Sequence, residues 1–240
     1  MTASANSSVI SGPNMRAALA EGIAVMLFCF MGPAAVVVTG LMDPSMSAAR
    51  LTAIALAHGL SIFLLATATG PVSGGHVNSA VTIAMLVTGN IGAAKAVLYI
   101  VAQLIGAAVG SFLLSMVVPG GAATGLGAHS LGKDVTLTMG MIAEIVGTFT
   151  LVGVIFMTAV SPKGLANVAT LAIGCTVLVI HLALVPLTGA SVNPSRSFGP
   201  WLFTQNIDVM SFLLLYWVSP VIGAILAGLV AKYVFIDPES

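Results

Sequence analysis

Two stretches decide the fold of this chain: SGGHVNSAVT, Ser73 to Thr82, and TGASVNPSRS, Thr188 to Ser197. Both are short polar inserts in an apolar sequence, and they align with each other. Asn78 and Asn193 stand 115 residues apart, as do Gly59 and Gly174. YIVAQLIGA (Tyr99 to Ala107) matches YWVSPVIGA (Tyr216 to Ala224), and AEG at Ala20 matches AEI at Ala143. Each insert follows a glycine-containing turn and opens a short segment, 78–88 or 193–203, that is too short to cross a bilayer. Asn is a favoured helix N-cap, so each segment reads as a half-helix. Irregular backbone at membrane depth is tolerated only inside protein or beside a wet cavity.

Around the inserts lie six apolar runs, roughly 16–39, 50–70, 93–118, 138–160, 165–186 and 210–235. Each supplies the ~20 residues that span a hydrocarbon core as helix, and the alternation of a membrane barrel is absent. Hydrophobic residues make up 58% of the 240 and charged residues 6%, against about 25% charged in a soluble domain. The chain reads as an integral membrane protein. Its zero formal net charge argues against nucleic acid as a partner. With three spans per half, the second copy enters from the opposite side, which makes an inverted repeat.

The domain reading follows. Residues 1–15 form a flexible N-terminal tail, 16–235 one channel domain of two repeats (16–118 and 138–235), and 236–240 a C-terminal tail. With six spans, both termini share a side with Arg16, Lys95, Lys163 and Lys232, whereas Arg50 and Lys133 lie opposite. The positive-inside rule then places the termini in the cytoplasm. Cys29 and Cys175 lack metal-ligand spacing and read as small buried packing residues. No nucleophile–base constellation, metal cluster or phosphate-binding glycine loop supports an enzyme, and nothing calls for a cofactor.

The paired Asn motifs, Glu21 and Glu144 within the first and fourth spans, and the repeat itself resemble the major intrinsic protein, or aquaporin, family over nearly the whole chain. LAHGLSIF and SGGHVN resemble tonoplast-type members, and LVIHLALVPLTG resembles plasma-membrane-type members. This mixture is similar to the hybrid intrinsic proteins of mosses and lycophytes. The resemblance implies an all-α membrane protein of six transmembrane helices and two re-entrant half-helices. It also implies a homotetramer in the lipid bilayer with one pore per protomer, with the plasma membrane favoured over the vacuolar one. The implied activity is passive passage of water, with ammonia or another small neutral solute as the broader alternative.

It further implies the roles of particular residues. Asn78 and Asn193 hold the permeant at the midplane, where two helix N-termini, each worth roughly half a positive charge, repel cations. His58, His181, Ala190 and Arg196 form the selectivity filter, with His181 as a donor and the Arg196 guanidinium satisfied by backbone carbonyls. His129, in the loop after the third span, is a candidate extension of that filter or a plain loop histidine. Glu21 and Glu144 accept hydrogen bonds from the re-entrant loops, His76 ties its loop down, and Gly59 and Gly174 let two spans touch. Spacing agrees on depth: His58 lies ~12 Å below the outer start of its span at 1.5 Å per residue.

By the same resemblance, His181 where glycerol-conducting members usually have Gly, and Ser197 after Arg196 where they have Asp, favour water over glycerol. A secondary transporter would need coupling-ion ligands where only two Asn meet. A junctional protein with a closed pore is a further alternative.

The motif departs from Asn-Pro-Ala twice, at Ser79 and at Ser195. Pro194 keeps the usual first-turn proline, preset for helix and free of an orphan N–H. Ser79 forgoes some of that preorganisation, about 0.4–1 kcal/mol. Its hydroxyl must also find water or a neighbour.

Overall fold

The computed structural model describes residues 11–236. The expected tails fall largely outside that range. The first helix, α1 (Gly12–Met42), begins four residues before the expected start at 16. Ser11 accepts from the Asn14 N–H as its N-cap and Pro13 occupies the first turn, so residues 12–15 are helix rather than tail. The chain continues through α2 (Ala48–Ser73), the half-helix α3 (Ser79–Val87) and α4 (Ala93–Val117). The second half repeats the order with α5 (Leu137–Val160), α6 (Ala166–Thr188), the half-helix α7 (Pro194–Thr204) and α8 (Val209–Phe235). All the described elements are helical, and six are long and apolar enough to span a membrane.

The packing obeys the repeat. Helix α1 lies along α4 as α5 lies along α8, α3 rests on α8 as α7 rests on α4, and α2 meets α6 at the pseudo-twofold. A methyl at Gly59 would sit 2.7 Å from the Gly174 carbonyl oxygen, and a methyl at Gly174 the same distance from that of Gly59. Only a residue without a side chain fits either place. In lipid, where the hydrophobic effect does not drive helices together, such close backbone contact does much of the holding.

Large apolar side chains cover the outside, among them Leu19, Leu64, Ile105 and Val179, as a surface facing lipid requires. Cys29 is buried, but Cys175 is exposed on α6. That corrects the expectation that both cysteines are buried packing residues: Cys175 lies on the outward face of its span.

Helices α2 and α6 end alike, with Gly74 and Gly189 left-handed at their C-caps (φ +94° and +85°). The chain then turns inward and starts a half-helix from Asn78 or Asn193. The Asn78 side chain accepts from Ala80 N, and that of Asn193 from Ser195 N and Arg196 N. Both half-helices thus begin at the midplane with their N-termini face to face.

Candidate functional site

Each inward turn contains left-handed residues that a side chain disfavours: Val77 (φ +50°), Ala190 (φ +62°) and Val192 (φ +43°). For a β-branched residue this conformation costs about 1–3 kcal/mol. It is offset by a buried carboxylate. Glu21 accepts from His76 N at 2.8 Å, Val77 N at 2.7 Å and Ser73 Oγ at 2.6 Å. Glu144 accepts from Ser191 N at 2.9 Å, Val192 N at 2.7 Å and Thr188 Oγ1 at 2.6 Å. Tyr99 and Tyr216 close the same pattern by donating to the Ser73 and Thr188 carbonyls. A carboxylate buried without donors would cost far more than it stabilises. Here it is the template on which each loop is wound. His76 Nδ1 lies 3.0 Å from Thr82 Oγ1, within its own half.

The strained turns aim two carbonyls across the midplane. Asn78 Nδ2 donates to Val192 O at 2.7 Å, and Asn193 Nδ2 donates to Val77 O at 2.9 Å. Each side-chain amide has two hydrogens. One is fixed in this exchange, and the hydrogen bonds among the described residues engage only that one. Both Asn line a cavity of about 380 Å³ that runs from Gly74, Gly75 and Val160 on the terminal side to His181. Its polar wall is made by the loops at His76, Ser191 and Val192, and its opposite wall is apolar, with Ile62, Val81, Ile173 and Val177.

Beside His181 the residues expected to form the filter come together. His58 and His181 stack, with ring centroids 4.2 Å apart, and both are buried. The His58 ring fills the space above Gly32, where an added methyl would lie 2.7 Å from it. Arg196 Nη1 donates to Gly127 O at 2.8 Å, and Nη2 lies 3.2 Å from His58 Nε2. Gly127 is itself left-handed (φ +61°) and pressed against Pro33, so it presents its carbonyl inward. Ala190 is buried in the adjoining turn, its N–H donated to Thr188 Oγ1.

The hydrogen bonds fix the tautomers. His58 Nδ1 lies 2.9 Å from Ile54 O, and His181 Nδ1 lies 2.8 Å from Val177 O. A carbonyl only accepts, so both Nδ1 atoms carry the hydrogen and both Nε2 atoms present lone pairs. In the neutral imidazole, His181 Nε2, which has no hydrogen-bond partner among the described residues, is then an acceptor where a donor was expected. The lone pair of His58 is taken up by Arg196. Among the described residues the Arg196 Nε–H also lacks a hydrogen-bond partner. His129 is buried in the loop with Nδ1 2.8 Å from Ser197 Oγ and its ring near Tyr216. Its hydrogen bond thus goes to the neighbour of Arg196. Burial, and after it the charge of Arg196, holds its imidazole well below the usual range.

Gly127, Gly32, Thr188 and Gln103 were not singled out in the sequence. The glycine cluster TGLGAH was the one available signal for Gly127. Among the described residues, no group of three or more His, Cys, Asp or Glu side chains is placed to hold a metal ion.

Comparison with known proteins shows the family. A family model described as "Major intrinsic protein" matches residues 8–231. Aquaporin-4 of Mus musculus is 38% identical over 221 residues, 92% of this chain and 67% of that protein. Aquaporin TIP2-3 of Zea mays is 39% identical over 235 residues, 95% and 90% of the two chains. The solved aquaglyceroporin from Plasmodium falciparum superposes with a TM-score of 0.80 at 22% identity, covering 92% of this chain and 96% of that one. That likeness shows a common fold.

Proposed function

This chain belongs to the major intrinsic protein family, whose members are passive channels for water or small solutes and not enzymes, and from that premise we propose that its main permeant is water, with protons and ions excluded. The observation that carries the reading is the reciprocal Asn exchange at the midplane. It turns the two remaining amide hydrogens toward one cavity, between two helix N-termini whose partial positive charges face each other. A molecule held there is held by its acceptor oxygen. A water so held points its own hydrogens away in both directions, which interrupts the hydrogen-bonded file along which a proton would hop. Cations meet the same positive ends and, farther out, the Arg196 charge.

His58, His181, Ala190 and Arg196 act as the filter in this reading. A permeant must give a hydrogen to His181 Nε2 and take one from Arg196, and water does both within one small molecule. Glycerol is disfavoured by the stacked pair of imidazoles. A second reading, water plus ammonia, is favoured by the acceptor character of His181, since ammonia also donates and accepts. His129 steadies Ser197 beside the filter. Glu21 and Glu144 serve the loops as scaffold rather than as proton-transfer groups.

Lys and Arg distribution supports cytoplasmic termini, and we place the channel in the plasma membrane as a homotetramer by likeness to the family. Stopped-flow light scattering on proteoliposomes, comparing water, ammonia, urea and glycerol, tests the reading. His181→Gly should admit urea or glycerol several-fold faster. Solute permeabilities unmoved by changes at both His181 and Arg196 would show that the filter lies elsewhere.

A further inference from the structure

Ser79 and Ser195, the two departures from Asn-Pro-Ala, are not mates in the repeat. Ser79 directly follows its Asn and corresponds to Pro194. Ser195 is the second residue after its own Asn and corresponds to Ala80. They nevertheless meet. Their hydroxyls are hydrogen-bonded to each other across the pseudo-twofold, and both residues are fully buried.

The donor order is fixed from the far end. Glu21 Oε2 only accepts, so the Gln103 amide turns its NH2 toward it at 2.9 Å, with Thr82 Oγ1 at 3.2 Å. Gln103 Oε1 therefore faces Ser79, whose Oγ donates to it at 3.1 Å. A hydroxyl has one hydrogen. Ser79 has given its own to Gln103, so Ser195 is the donor to Ser79. A directed chain runs from Ser195 through Ser79 and Gln103 to Glu21, joining the first turn of α7 to the template of the first loop.

We propose that Ser79 and Ser195 are a matched pair of positioning residues. Their bond ties the two first turns together and sets the spacing of Asn78 and Asn193, which precede them by one and two residues. The positioning role rests on the proposed contact of both Asn with the permeant; the bond itself does not.

The chain makes an asymmetric prediction. Ser195→Ala removes a donor and leaves Ser79 bonded to Gln103. Ser79→Ala strands both the Ser195 hydroxyl and the Gln103 carbonyl, and stranding a buried polar group costs more than removing both partners. Ser195→Ala should therefore harm the wild-type protein but partly rescue Ser79→Ala. A four-member cycle read by melting temperature in detergent, and by water permeability per folded channel in vesicles, tests this. The expected result is that sign reversal in both readouts, with Ser79→Ala slowing water several-fold. If Ser79→Ala does not fold, Ser79→Cys, with its weaker donor, takes its place. Additive melting shifts would overturn the pair. Coupled melting shifts with unchanged permeability per channel would leave a structural bond and overturn the positioning role. Wild-type vesicles no faster than protein-free ones would instead overturn the channel reading, while the melting cycle still decides the bond.

Discussion

The two half-helices begin at the same depth from the same residue, yet their first turns are built differently. In the first half Asn78 is followed by Ser79, Ala80 and Val81; in the second Asn193 is followed by Pro194, Ser195 and Arg196. Gln103 stands beside Ser79, and the residue aligned with Gln103 in the other half is Pro220. One turn is thus held by a hydroxyl with a partner, the other by a ring that needs none. Val81 and Arg196 are likewise mates. One lines the apolar wall of the cavity on the terminal side, and the other carries the guanidinium held by Gly127 and His58. An inverted repeat supplies a symmetric frame of two carboxylates and two Asn, and function enters where the halves differ.

The largest effect should come from the symmetric frame. Glu21 accepts four bonds, including Gln103, whereas Glu144 accepts three. Replacing either by Gln sets an NH2 against backbone N–H donors. We expect losses of about 3–5 kcal/mol by thermal unfolding in detergent, larger for Glu21→Gln. Next, Arg196→Val makes the second half like the first. It removes the groups held by Gly127 and His58, so urea and glycerol permeability should rise several-fold while water passage persists, as read by stopped-flow. Third, Pro194→Ser gives the second half the serine of the first without a Gln at the aligned position. It should cost about 1–3 kcal/mol, more than the proline preorganisation of 0.4–1 kcal/mol alone, measured by the shift in chemical denaturation midpoint.

The smallest effect concerns His129, which has no counterpart in the first half. In the unfolded chain it takes up a proton near pH 6.5, whereas in the fold it stays neutral well below that. Stability is therefore complete above about pH 6.5 and declines as pH falls through the window below it, by at most about 1.4 kcal/mol per pH unit. Melting temperature should drop between pH 7 and 5.5, and His129→Asn should show a shallower drop.

Much of the frame was legible in the sequence because it is written in local signals. Length and hydropathy marked six spans to within a few residues, and Asn after a glycine turn marked the half-helices. Repeat spacing brought Glu21, Glu144, Gly59 and Gly174 forward in pairs. What was not legible depends on contacts between distant segments. The Gly127 carbonyl reaches Arg196 from 69 residues away. The acceptor state of His181 depends on the Val177 carbonyl one turn behind it, a detail of rotamer rather than composition. Ser79 and Ser195 looked like independent blemishes because they are not repeat mates, and only the pseudo-twofold brings them together. The outward face of Cys175 and the early start of α1 at Gly12 depend on helix rotation and on one capping serine.

The most direct test of the central claim pairs two signals in one vesicle preparation. Proteoliposomes of the wild-type chain are shrunk osmotically while an entrapped dye reports the collapse of an imposed pH gradient. Shrinkage several-fold faster than in protein-free vesicles, with the pH gradient decaying no faster, is the predicted result. Shrinkage no faster than in protein-free vesicles, or a pH gradient that collapses in step with water flow, would contradict it.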